Sequence, residues 1–169
     1  MPSWLTAEIV IAIMSMFVAI LALGTTIWQG KVTQTHNKLT VRPYLSCHVL
    51  VSTHQDSAGV YINNDGIGPA IIKAVSFEKN GVVLSLDDFD YKEIFPQLNF
   101  GHFHFNIIGI PGSILPGQMQ WIFSTTKHKE NATLIKDILS SLKGTTLKIE
   151  YESIYKESFV FCQTFFPNM

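Results

Sequence analysis

From Ile9 to Trp28 the chain reads IVIAIMSMFVAILALGTTIW, an apolar run with no charged residue before Lys31. At about 1.5 Å of rise per residue these positions cover about 30 Å, the thickness of a bilayer's hydrocarbon core. The pattern predicts one transmembrane helix anchoring residues 1–30. A cleaved secretory leader, which Ala22-Leu23-Gly24 would loosely allow, needs basic residues ahead of the apolar run; the first eight positions carry Glu8 and no basic side chain. The expectation is a retained anchor, with Trp4 and Trp28 at the two headgroup levels.

Beyond Gly30 the pattern changes. Residues 31–43 are polar and short, a juxtamembrane connector or the fraying end of the long helix. In Leu45, Cys47, Val49 and Val51, apolar residues then alternate with Ser46 and His48, the two-residue repeat of a half-buried strand. Further strands are expected over residues 59–63 and 70–78, the second rich in β-branched side chains. Between them Asn64-Asp65-Gly66-Ile67-Gly68-Pro69 reads as a turn, because Asp-Gly takes positive-φ positions readily and Pro69 has a locked φ. Lys79-Asn80-Gly81-Val82 reads as a tight hairpin.

Asp87 or Asp88 is placed to cap a short helix carrying Phe89, Tyr91, Ile94 and Phe95, ended near Pro96. Phe103, Phe105 and Ile107 suggest a strand, residues 109–118 a proline- and glycine-punctuated loop, and residues 119–125 a strand again. Leu134, Ile135, Ile138, Leu139 and Leu142 share one face of a helix over residues 131–142, which Gly144 stops. Leu147, Ile149 and Tyr151 alternate with Lys148, Glu150 and Glu152, and a last strand covers residues 157–165. Seven or eight short strands with one or two short helices predict a mainly β fold over residues 44–169. The expected form is an immunoglobulin-like sandwich of two antiparallel sheets, with a partly open barrel as the alternative.

Charge adds a direction to this picture. All twelve Lys and Arg residues and twelve of the thirteen acidic ones lie beyond Gly30, so the extramembrane part is formally neutral and has no electrostatic reason to bind nucleic acid. Lys31, Lys38 and Arg42 follow the apolar run, whereas Glu8 precedes it. The positive-inside rule therefore predicts a single-pass protein of the inner (plasma) membrane with a cytoplasmic β domain. The same three residues are the candidate contacts to phospholipid headgroups. Cys47 and Cys162 lack the spacing of a zinc site or redox pair. In the cytoplasm they are expected as reduced thiols at or near the core; in an exported domain they could join the first and last strands. Asn131-Ala132-Thr133 would matter as a glycosylation site only in a lumenal eukaryotic domain.

Candidate chemistry is thin. His102 and His104 would face one side of a strand, but two imidazoles do not make a metal site. Sequence alone does not bring His48, His54, Asp87, Asp88 or Asp90 to them. The acidic run lacks the oxygen spacing of a calcium loop, and no Gly-x-Ser-x-Gly elbow occurs. No catalytic residue, metal site or cofactor is predicted. The apolar helix offers more: Ala12, Ser15, Ala19, Ala22 and Thr26 recur at steps of three and four, a stripe of small side chains that lets another helix approach closely.

Three stretches carry a resemblance: Ile27-Trp28-Gln29 followed by residues 36–44, HNKLTVRPY; residues 63–72, NNDGIGPAII; and Tyr151-Glu152-Ser153. With them the chain resembles a broad set of small bacterial single-pass membrane proteins of uncharacterised function. The resemblance implies an N-terminal anchor with a C-terminal β domain and transfers no activity. The expected role is a non-enzymatic accessory or adaptor protein, bound to a membrane protein partner or to itself. The alternative is a small-ligand or lipid-binding sensor whose pocket is lined by some of the twelve phenylalanines.

Overall fold

The structure, a computed structural model, describes residues 6–52, 57–85, 96, 103–105, 112–125 and 131–167. Trp4, His54, the helix expected after Asp87 with its acidic run, His102 and Ile107 lie outside the described residues. The chain divides into two compact units, Met1–Thr40 and Val41–Met169.

The first unit is one helix, α1 (Ala7–Thr40), none of whose residues is buried. Its 34 residues include a window of mean hydropathy 2.4, long and apolar enough to cross a membrane. The helix runs on past Gly30, so residues 31–40 are helical and the non-helical link shortens to residues 41–44. Two threonines within the apolar run, Thr25 and Thr26, both donate their hydroxyls to the carbonyl of Ala22 at 2.8 Å. That geometry satisfies groups for which hydrocarbon offers no water. Thr35 and Thr40 repeat the device on Lys31 and His36.

The second unit is mainly β. Among the described residues it contains β1 (Leu45–Ser52), β2 (Ser57–Asn64), β3 (Ala70–Lys79), β4 (Val82–Ser85), β5 (Phe103–Phe105), β6 (Gly112–Ile114), β7 (Met119–Thr125), α2 (Asn131–Leu142), β8 (Thr146–Glu152) and β9 (Ser158–Thr164). All pairings are antiparallel. One sheet has the order β1-β2-β7-β5; the other runs β4-β3-β8-β9, with β6 also paired to β3.

Alternation explains most of these elements. Along β8, Leu147, Ile149 and Tyr151 are buried, while Lys148 and Glu150 face out and bridge at 2.6 Å. Both sheets feed one core: Val60, Ile62 and Phe123 from the first meet Ile72, Phe77 and Leu147 from the second. Each such burial is worth roughly 1.5–3 kcal/mol relative to exposure. Ile138 and Leu142 of α2 join them, and Gly144, at φ 71°, turns the chain from the helix towards β8. The β3–β4 hairpin has Asn80 and Gly81 at φ 51° and 80°, the paired positive angles of a two-residue turn whose twist matches its strands.

The structure departs from the sequence reading in two places. Within the proline- and glycine-punctuated stretch, Gly112–Ile114 is a strand whose Ile114 pairs with Ala70 and is buried. Cys162 is not a core residue: β9 turns Phe159 and Phe161 towards the core and leaves Cys162 exposed, whereas Cys47 on β1 is buried. The two thiols lie on different sheets, one facing in and the other out.

Candidate functional site

Residues 41–44, the β2–β3 turn and the β8–β9 turn lie at one end of the β domain, and the first two are tied together by Asn64. This side chain is fully buried. Its Oδ1 accepts from the backbone N–H of Tyr44 at 3.2 Å and of Gly66 at 3.0 Å. Its Nδ2 donates to the carbonyls of Gly68 at 2.8 Å and Ile114 at 2.9 Å. Its own backbone bonds Gln118 and Gly117, and Asp65 N–H donates to Tyr44 at 2.8 Å. The side-chain carbonyl and amide are thus both used twice, so one asparagine joins the start of β1, the β2–β3 turn and the β6–β7 turn. Gly66 and Gly68 lie against backbone of residues 41–44, where an added Cβ would collide with Arg42, Tyr44 and Val41 atoms.

Ser153 does the equivalent work in the β8–β9 turn. It is fully buried, and its hydroxyl accepts from the N–H groups of Tyr155 at 3.2 Å and Glu157 at 3.4 Å. Lys156 in this turn has φ 61°. Nearby, Tyr151 stacks on Phe159 with ring centroids 5.5 Å apart, and the Arg42 guanidinium sits 4.6 Å over the same Phe159 ring. Burial raises the Tyr151 phenol above its ordinary value; its bond to the Leu45 backbone and the nearby Arg42 charge oppose that rise.

This closed framework presents several large apolar side chains to solvent beside exposed Arg42, Asp65, Gln118 and Lys156. Tyr44 is 66% exposed, Ile67 at the tip of the β2–β3 turn 70%, and Leu115 of the β6–β7 turn 56%. Ile154 and Tyr155 of the β8–β9 turn are exposed as well. Turn tips are ordinarily polar, so five large exposed side chains of apolar or aromatic type at one end of a small domain stand out. The sequence carries a signal for this in Gly-Ile-Gly, Leu-Pro-Gly and Ser-Ile-Tyr-Lys, where an apolar residue occupies a turn.

The remaining candidates are dispersed. Ala12, Ser15, Ala19, Ala22 and Thr26 lie on α1 and are exposed, Thr26 with its hydroxyl turned back into the helix. Lys31 and Lys38 occupy the same helix beyond Trp28, while Arg42 belongs to the β domain and lies over Phe159. His104 pairs in register with Ser124, and His48 stacks instead on Tyr61 at 5.2 Å, which meets Trp121 edge-on at 5.3 Å. No group of three or more metal-ligating side chains occurs among the described residues.

Comparison with protein-family models and with curated proteins gives no match. Among solved structures, the chain is similar to one from the archaeal flagellum of Methanospirillum hungatei strain JF1, at 11% identity. That alignment covers 95% of this chain and 93% of the other, with a TM-score of 0.32, a likeness that carries no inference about function.

Proposed function

We propose that this protein is a non-enzymatic accessory or adaptor, held in the inner membrane by α1 and binding a partner through the apolar end of its β domain. The exposed cluster of Tyr44, Ile67, Leu115, Ile154 and Tyr155 carries this reading. Around it, polar groups that could do chemistry are committed to structure: Asn64 and Ser153 spend their hydrogen bonds on backbone. The occupant is the extramembrane part of a membrane complex, since the chain enters the β domain at this same end, directly after α1.

An immunoglobulin-like fold is part of the proposal. The strand orders β1-β2-β7-β5 and β4-β3-β8-β9 correspond to the ABED and C′CFG sheets of that architecture, with β6 and α2 as additions. The resemblance to small bacterial single-pass proteins and the cytoplasmic placement, drawn from Lys31, Lys38 and Arg42 after the apolar run, belong to the same reading.

The test is co-purification in mild detergent. The native chain is expected to bring down one membrane protein in stoichiometric amount, and Ile67→Asp combined with Tyr155→Ser to lose it while melting at the native temperature. Recovery of the native chain with no other protein bound would overturn the proposal.

A further inference from the structure

In lipid nearly every position of α1 is apolar, so that stretch does not reveal which face meets a partner. The part beyond Trp28 does. Over residues 29–40 the only apolar side chains are Val32 and Leu39, seven residues apart and both more than half exposed. They lie on one line with Trp28 and Thr35, at steps of four, three and four.

The line continues into the membrane-spanning part at the same spacing. Ile11, Val18, Thr25, Val32 and Leu39 recur every seventh residue, with Met14, Leu21, Trp28 and Thr35 between them. The spacing is that of a heptad seam, and Ile11, Val18, Thr25 and Val32 at four of its every-seventh positions are β-branched, the type that favours two strands. From Ile11 to Leu39 the seam is about 42 Å long.

We propose that two copies of this chain pair in parallel through this seam of α1, from the membrane out to Leu39. The inference deepens the accessory reading and rests on its anchor. A partner able to use the whole seam must cross the bilayer at the same depth, leave it in the same direction and stay helical for a dozen residues more. A second copy meets all three conditions, because one insertion mechanism orients every copy alike and the bilayer fixes their register. Flanking positions agree: Lys31 and Lys38 lie on one side of the seam, Gln29 and His36 on the other, so a parallel pair sets Lys31 against glutamine or histidine rather than lysine. The exposed extension also needs support. It is rich in Thr, Asn and His, weak helix formers, and a helix of this length has marginal stability in water without a packed face.

Cysteine scanning tests this in native membranes. In a full-length chain carrying Cys47→Ala and Cys162→Ser, single cysteines are placed at each position from Trp28 to Thr40 and oxidised with copper phenanthroline. Disulfide-linked dimer should peak at Val32→Cys and Leu39→Cys and fall to background at Gln34→Cys and Asn37→Cys. Val32→Glu with Leu39→Glu should abolish the dimer in nanodiscs, read by single-molecule photobleaching. A flat profile, a maximum on the opposite face or a dimer that survives both glutamates would overturn the proposal. An alkaline carbonate wash of the same membranes separates the two readings. A chain that stays in the pellet with a flat profile keeps its anchor and loses the seam; a chain released to the supernatant loses the anchor and, with it, the bilayer-set register on which the pairing rests, which overturns both readings.

Discussion

Cys47 and Cys162 share a side-chain type and differ in everything that decides thiol chemistry. Burial on β1 pushes the Cys47 thiol up from its ordinary 9.0 to about 12, because a thiolate there would lose its hydration. Cys162 on the outer side of β9 has no such shelter. Below pH 9.0 the Cys47 thiol is neutral in the folded and unfolded chain alike and adds no pH dependence. Above it the unfolded chain ionises first, so stability is lost as pH rises from 9.0 towards about 12. Thermal melts across that window should therefore fall more steeply for the native protein than for Cys47→Ala. At pH 8 a maleimide should label Cys162 at once and Cys47 only on unfolding. Equal labelling rates for the two thiols would contradict the inward orientation of Cys47.

At the scale of elements, the junction at Asn64 holds β1, β2, β6 and β7 in one arrangement. Asn64→Ala leaves the carbonyls of Gly68 and Ile114 and the N–H of Tyr44 without their partner. At about 1–3 kcal/mol for each buried group left unpaired, the loss should exceed that of an ordinary surface substitution several-fold. Asn64→Asp should be worse, since it sets a carboxylate oxygen against two carbonyls. Urea unfolding in detergent, followed by Trp121 fluorescence, measures both.

Much of this level was legible in the sequence. The alternation of Leu147, Ile149 and Tyr151 and the one-sided apolar face of α2 state their periods plainly, and Asn80-Gly81 names its own turn. β6 was hidden because three residues, one of them glycine, carry too little pattern to stand out between prolines. Asn64 was hidden for another reason. Turn asparagines are common, and only the fold shows that this one is buried with both ends of its amide used. The apolar tips are not legible one at a time, because a single apolar residue in a turn signals nothing until the fold brings several such turns to one end.

For the molecule as a whole, orientation is the prediction that matters most. Glu8 before the apolar run and Lys31, Lys38 and Arg42 after it set the bias. Changing all three basic residues to Gln, with lysines added ahead of Trp4, should move a C-terminal reporter from the cytoplasmic to the outer side. A native chain whose reporter is already outside would reverse the placement of the β domain.

The length of α1 also sorts its own charges. Along the helix axis Lys31 lies about 4–5 Å past Trp28 and Lys38 about 15 Å. With the helix upright, Lys31 lies inside the counterion layer of an anionic leaflet, whose potential decays over about 8 Å at physiological ionic strength. Lys38 stands nearly two such lengths out, where mobile salt has already cancelled most of the field. Two identical ammonium groups one heptad apart would then sit in different solvents, only the first within reach of the headgroup field.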